Sequence, residues 1–344
     1  PGAQVEGRGL AAKTIGDQRS SRRRVLSVRG GRHDHQADVG GIDTRPDQLA
    51  TFCDRHGIAG RFGSIDEAIA WGQFDAVTNV TPDAAHYATT LPFLAAGKHV
   101  LCEKPLATRI ADALAMVQAA EQAGVVFATN HHLRNAGSLR AIRKLIVSGT
   151  VGKVLSLRVF HAVELPVHLR GWRLDNPEAG GGVIADLTVH NADCVRFLLG
   201  EDPVSVVAQM DTSGLGQGVE DSAMSVWAMP SGAMIFSHES FTHPFAASGL
   251  EVHGTRGSIL ARGVLSQEPQ GEIDLVTAAG TTRVEFDRAG LYQGVLRDFG
   301  AAVAGRSAPA ATGHDGVRSL QIAEAVRQAA LTGQRQTVRY GDGR

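Results

Sequence analysis

The stretch FDAVTNVTPDAAHYATTLPFLAAGKHVLCEKP, residues 74–105, decides the fold class of this chain. It reads as a short buried strand over 74–82 stopped by proline, a helical stretch over 83–96 terminated by Gly97, and a second strand over 98–105. The pattern continues outward in both directions. LATFCDRHG (49–57) and SIDEAIAWG (64–72) read as short helices ending at glycine, TRIADALAMVQAAEQAG (108–124) as the next helix, and VVFATN (125–130) as a further strand. Strand, helix, strand, helix, strand is the signature of a parallel sheet with crossover helices. Such sheets hold ligands at the carboxyl ends of their strands. Those ends are Thr81 and Pro82, then Glu103 and Lys104, then Asn130, so polar groups collect on one edge.

Past residue 150 the pattern changes. SLRVFHAVEL (156–165), SVVAQMD (205–211), SAMSVWAM (222–229), GAMIFSHESF (232–241), LEVHGTRGSILA (250–261), IDLVTA (273–278) and TTRVEFD (281–287) read as strands, several joined by glycine-containing turns. Few helices separate them, which predicts a mostly antiparallel sheet. A helix over 180–199 and a last one near 316–332 are expected to cover one face. A chain of 344 residues exceeds the usual range of a single core, so two domains are expected.

The balance of 34 basic against 35 acidic residues gives a net charge of -1 and no reason to expect nucleic acid or an anionic membrane as partner. A small neutral ligand fits better. Cys53, Cys102 and Cys194 are too few and scattered for a disulfide framework, and no C-x-x-C pair suggests zinc, so the chain reads as cytoplasmic. No run approaches the roughly 18 apolar residues of a membrane span, and the N-terminus lacks the apolar core of a signal peptide.

GGGVIADLTVHNAD (180–193) places an aspartate and a histidine four positions apart in an apolar segment. At about 100° per residue, Ile184, Leu187, Val195 and Leu198 share one face while Asp186, His190 and Asp193 share the other. Asp186 and His190 then lie about one turn apart, near enough to act on one ligand, although the same spacing suits a solvated helix face. The first forty residues do not fit. A dinucleotide-binding sheet opens with an apolar strand and G-x-G-x-x-G, whereas GRGLAAKTIGDQRSSRRRVLSVRGGRHDHQADVGG carries an arginine cluster and no such strand. Either a disrupted reading frame or a divergent first unit accounts for it.

VTP (80–82) with His86, AGKHVLCEKPLA (96–107) and AGGGVIADLTVHNAD (179–193) resemble the glucose-fructose oxidoreductase, inositol dehydrogenase and MocA family of NAD(P)-dependent sugar oxidoreductases. NHHLRNAG (130–137), RVFHAVELPVHLRGWRLDNPEAGGGVI (158–184) and GLEVHGTRGSI (249–259) are similar to its 1,5-anhydro-D-fructose reductase branch. The resemblance implies an α/β protein. A Rossmann-type dinucleotide-binding domain with an atypical first unit would span 1–128, and an α+β substrate-binding domain with a mostly antiparallel open sheet would span 129–344.

The resemblance also implies the site. Lys104 would hydrogen-bond a carbonyl oxygen and stabilise the developing alkoxide. His190 would be the proton donor on the strength of a reference pKa near 6.5, with Lys104 as its rival. Asp186 would bind a substrate hydroxyl or orient the imidazole. The glycines 180–182 would admit a sugar close to the backbone. Asp43, Thr81, Pro82, His86, Glu103, Lys104 and Asn130 would hold NAD or NADP, with Trp172 and Arg173 bordering nicotinamide or substrate. Asp43 favours NAD through the ribose hydroxyls, whereas Arg45 would suit the phosphate of NADP. The expected partner is a small sugar, such as the keto-sugar 1,5-anhydro-D-fructose, with neither membrane nor nucleic acid involved and the protein a monomer or homo-oligomer. Two other readings stand beside this one. One is a metal-dependent hydrolase, disfavoured because no compact ligand cluster is present and His131 and His132 would point apart in a strand. The other is a catalytically impaired sugar-binding relative that has lost the phosphate-binding turn.

Overall fold

The computed structural model describes residues 26–29 and 39–341. Expectations that fall on 1–25 and 30–38, the arginine cluster and the missing glycine-rich turn among them, lie outside the described residues. Six strands form the first sheet: β1 (Leu26–Arg29), β2 (Val39–Ile42), β3 (Gly60–Phe62), β4 (Ala76–Asn79), β5 (His99–Cys102) and β6 (Phe127–Thr129). Their spatial order is β3-β2-β1-β4-β5-β6, the order of a doubly wound dinucleotide-binding sheet. The crossovers are α1 (Pro46–His56), α2 (Ile65–Trp71), α3 (His86–Ala95) and α4 (Ile110–Ala123).

One strand corrects the sequence reading. Leu26–Arg29, inside the segment that reads as strandless, occupies the central position of the sheet. It runs antiparallel to both β2 and β4, whereas the other neighbours pair in parallel. The amino end of β1 therefore lies at the edge where β2, β4, β5 and β6 end.

The second sheet has nine strands: β7 (Val154–Ala162), β8 (Ser205–Asp211), β9 (Ser222–Ala228), β10 (Met234–Ser240), β11 (Gly249–Gly254), β12 (Gly257–Arg262), β13 (Glu272–Thr277), β14 (Gly280–Arg283) and β15 (Gln336–Thr337). The order is β14-β13-β12-β11-β7-β10-β9-β8-β15, and β7 with β10 is the one parallel pair among them. Residues 250–261, read as one strand, form a hairpin turned at Thr255 and Arg256. In β9, Ala223, Ser225 and Trp227 are buried while Met224, Val226 and Ala228 are exposed. That alternation is what a sheet covered on one face requires.

Five helices follow: α5 (Gly137–Val147), α6 (Trp172–Asp175), α7 (Val189–Leu199), α8 (Leu291–Val303) and α9 (Gly313–Thr332). The periodicity of the sequence flagged α7 and α9 but neither α5 nor α8. Ile184, Leu187, Val195 and Leu198 join Leu157, Trp227, Ile235 and Ile322 in the core beneath the second sheet. The first sheet is buried on both faces. Val100 and Cys102 pack with Phe93 and Met116, while Leu101 and Ala128 meet Val295 and Phe299 of α8. This is why HVLC shows no polar alternation. α9 serves both units, with Val317 and Leu320 in the first core and Ile322 and Val326 in the second. A Cβ on Gly316 would come within 2.3 Å of Thr129 Oγ1, so glycine is required for that close approach.

Candidate active site

The carboxyl ends of β4, β5 and β6 open into a cleft of about 760 Å³, a size typical of ligand sites. Thr81, Pro82, Glu103, Lys104 and Asn130 line it from the first sheet. Trp172, Arg173, Asp186 and His190 line it from the second unit. Each element places its side chain for a local reason. Thr81 is fixed by Asn79, whose Oδ1 accepts from both its backbone N and its Oγ1 at 3.1 and 2.8 Å. Asn130 Nδ2 donates to Glu103 Oε1 at 2.6 Å, leaving the buried Asn130 Oδ1 without a protein partner.

The helix carrying Asp186 and His190 departs from the expected span of 180–199. It opens as a π-turn over Ile184–Thr188 and continues as α7, and such wide turns concentrate at functional sites. Glu220 Oε1 accepts the Ile184 backbone N–H at 3.1 Å, satisfying a donor at the helix start. Two of the three preceding glycines are required by the chain's own packing. A Cβ on Gly181 would strike the carbonyl oxygens of Trp172 and Asn176, and one on Gly182, at φ 105°, would strike the Glu220 carboxyl.

The polar face of this helix is buried, not solvated. Lys104 Nζ donates to Asp186 Oδ1 at 2.6 Å and to the Asp186 carbonyl oxygen at 3.0 Å. Arg173 Nε lies 3.6 Å from Asp186 Oδ2, and its guanidinium stacks 4.5 Å from the centre of the Trp172 ring. Burial opposes ionisation of Asp186, but the charges of Lys104 and Arg173 outweigh it and hold the carboxyl at about 2. Asp186 is thus committed to the two cations, and its oxygens show no hydrogen bond to the imidazole of His190. Asp193, on the same face, is drawn into a bidentate pair with Arg134 at 2.7 to 3.0 Å.

Sequence reasoning missed a group of imidazoles around His190. His132, His161 and His131 have ring centres 5.1, 6.1 and 6.5 Å from that of His190. His131 and His132 do not lie in a strand, because β6 ends at Thr129 and a 3-10 turn begins at His132, so both rings approach His190 and do not diverge. Burial first, then the Lys104 charge and the neighbouring rings, pushes His190 well below its reference value. The same causes take His132 to about 3, while burial takes His161 and His131 to about 4. The basis for His190 as a donor titrating near 6.5 is therefore corrected: at neutral pH it is an uncharged ring. The one available signal was a pair of histidines directly after Asn130, at a strand end where ligands bind. Among the described residues no group of three or more His, Cys, Asp or Glu side chains can hold a metal ion.

One expected cofactor residue takes another position. His86 is fully buried behind the cleft, with Nε2 and Nδ1 each donating to a carbonyl oxygen at 2.8 Å, those of Thr81 and Pro105. It braces the two cofactor-edge loops and does not line the cleft. Two acceptors demand two N–H groups. Burial opposes the charge, yet Cys102, Asp83 and the Pro105 carbonyl outweigh it and raise His86 to about 10. A raised folded-state value contributes stability that is complete below pH 6.5 and is lost as pH climbs towards 10. Urea melts should therefore show the wild type losing about 1.4 kcal/mol per pH unit between about pH 7.5 and 9, above the range in which the other buried histidines take up protons on unfolding. His86→Gln should lose that slope, and an unchanged slope would remove the buried imidazolium. Asp43 and Arg45, read as alternatives, are partners: Arg45 N and Nε donate to Asp43 Oδ1 at 2.9 and 3.0 Å and Nη2 to Oδ2 at 2.8 Å. Asp43 directly follows β2, at the strand end where it was expected.

A doubly wound sheet whose strand-end lysine meets an aspartate and a histidine across a cleft is the arrangement of a nicotinamide-dependent dehydrogenase. Residues 19–131 match the model of an oxidoreductase family with an NAD-binding Rossmann fold, and residues 139–260 match the GFO/IDH/MocA C-terminal domain. The chain belongs to the Gfo/Idh/MocA family of NAD(P)-dependent sugar oxidoreductases. It is 46% identical over 301 residues to a 1,5-anhydro-D-fructose reductase of Ensifer adhaerens, covering 87% of this chain and 90% of that one. It is 30% identical to an inositol 2-dehydrogenase of Rhizobium meliloti (strain 1021), covering 78% and 83%. Among solved structures, an aldose-aldose oxidoreductase from Caulobacter crescentus complexed with glycerol superposes with a TM-score of 0.79 at 26% identity, covering 86% and 90%. No helix among the described residues is long and apolar enough to cross a membrane.

Proposed function

We propose that this protein reduces the ketone of a cyclic keto-sugar of the 1,5-anhydro-D-fructose type, with Lys104, Asp186 and His190 carrying the chemistry. The observation that carries the reading is the 2.6 Å ion pair between Lys104 Nζ and Asp186 Oδ1, which joins the two units across the cleft. The 46% identity to a relative named for that substrate supports the choice of sugar. Thr81, Pro82, Glu103 and Asn130 would border the nicotinamide, and the unpartnered Asn130 Oδ1 suits a carboxamide N–H. When bound, the nicotinamide supplies the hydride.

The chain's own residues handle the proton. Lys104 presents its ammonium to the carbonyl oxygen and donates from Nζ as negative charge develops there. Asp186 fixes the direction of that ammonium, and Arg173 keeps Asp186 from swinging away. His190, uncharged, holds a neighbouring hydroxyl, and the neutral Lys104 amine takes the proton back when the reaction runs backwards. A positioned acid of this kind contributes roughly 10²- to 10⁴-fold. Purified protein mixed with NADH or NADPH and a panel of keto-sugars should oxidise one cofactor fastest with the anhydro-keto-sugar. His190→Gln should lower turnover roughly 10²-fold. Absence of cofactor oxidation with every sugar at millimolar concentration would remove the proposal.

A further inference from the structure

Beneath the helix that carries Asp186 and His190, the core contains a polar cluster. Thr188, Asn191, Ser237 and Glu239 all have 0% exposure. Asn191 Nδ2 donates to Ser237 Oγ at 3.1 Å and to Glu239 Oε1 at 2.8 Å, and Ser237 Oγ donates to Glu239 Oε1 at 2.5 Å. Glu239 Oε2, Thr188 Oγ1 and Asn191 Oδ1 have no hydrogen-bond partner. A leucine at 239 would suit the surrounding core better, because a buried carboxyl costs stability unless it is fully satisfied.

The cluster's position explains the acid. Thr188 closes the π-turn and Asn191 follows His190 directly, so two of the four members flank the histidine on its own helix. Glu239 sits on β10, which packs against the π-turn, and its register partner on β7 is His161 of the cleft.

We propose that Glu239 is a positioning residue: through Asn191, with Ser237 beside it on β10, it anchors the start of α7 so that Asp186 and His190 meet Lys104 in one register. Burial pushes the Glu239 carboxyl up to about 7, against the opposing pull of Ser237, Asn191 and Thr188, so a substantial share is neutral at neutral pH. A neutral acid keeps Oε1 as the acceptor for Ser237 and Asn191 and bears its proton on Oε2. Glutamine reproduces that arrangement, with an acceptor on one side and a donor on the other; leucine reproduces neither.

The inference rests on the proposed reductase reading and is tested by three variants read by kcat and hydrogen exchange, with cofactor Kd as the control. Glu239→Leu should lower kcat roughly 10- to 100-fold through a sub-ångström displacement of the pair. Cofactor Kd by fluorescence should stay at the wild-type value, because the first sheet is untouched. Hydrogen exchange of the 184–191 amides should speed up about tenfold. Glu239→Gln should restore both readouts to within about threefold of wild type, and Ser237→Ala, which removes one bond only, should lower kcat several-fold. Wild-type kcat in Glu239→Leu overturns the assignment, as does equal loss in the Gln and Leu variants. Should Glu239→Leu not fold, unchanged kcat and exchange in Ser237→Ala overturn it. Wild-type protein inactive on every sugar would sink the reductase reading alone, since exchange in the variants still decides the positioning role.

Discussion

Replacing Lys104 with methionine should lower kcat/KM for the keto-sugar roughly 10³-fold while leaving nicotinamide binding nearly unchanged. Methionine keeps much of the lysine's volume, so the cleft walls stay in place. What disappears is the only cation among the described cleft residues that reaches Asp186 Oδ1 at hydrogen-bond distance, and with it the proposed donor to the reacting oxygen. The surrounding imidazoles cannot take over, because burial leaves them uncharged at neutral pH. Steady-state kinetics with either reduced cofactor, paired with a fluorescence titration, checks both halves. Retention of more than a tenth of the wild-type rate would transfer the donor role to another group.

Replacing Arg134 with methionine should cost about 3–5 kcal/mol of stability, the usual consequence of stripping one partner from a buried ion pair. Arg134 Nε and Nη2 hold both oxygens of Asp193, which is 1% exposed. Nη1 donates to the Ala310 carbonyl at 2.9 Å, and Nη2 reaches Asp315 Oδ1 at 2.9 Å. Asp315 also accepts from Arg196 Nη1 at 2.9 Å, and its carboxyl is held well below the usual range by Arg134 and Arg196 despite burial. One guanidinium therefore ties the 3-10 turn after β6 to α7 and to the amino end of α9. Without it, Asp193 remains a buried carboxylate with the uncharged His131 ring 3.8 Å away. Equilibrium urea melts give the cost, and the double variant Arg134→Met with Asp193→Leu should regain part of it. A loss below about 1 kcal/mol in the single variant would show the network to be dispensable.

The sequence revealed much of this architecture because hydrophobic period is a local property. HVLC, flanked by helices that end at glycine, reads as a doubly buried parallel strand, and the one-sided alternation of SAMSVWA reads as a covered antiparallel one. Lys104, Asp186 and His190 were legible for a related reason, since strand ends and an i, i+4 pair are features of short windows. The 3-10 turn at His132 was not legible, and that turn brings His131 and His132 towards His190. Nor was the π-turn at 184–188, which a uniform 100° rotation does not anticipate. His86 was misplaced because its loop marks the cofactor edge, whereas its ring turns inward to two carbonyl oxygens.

By itself, then, the sequence determined the order of elements, the two sheet types, the family and the identity of the three residues on which the proposed chemistry rests. The tertiary structure decided their states. Lys104 and Asp186 are 82 positions apart in the chain, and Arg134 and Asp193 are 59 apart. Charge, protonation and orientation depend on distances in space and on exclusion of water, and both are set only when the two sheets close on one helix. The uncharged His190, the captured carboxylate of Asp186 and the acid buried at Glu239 all follow from that closure.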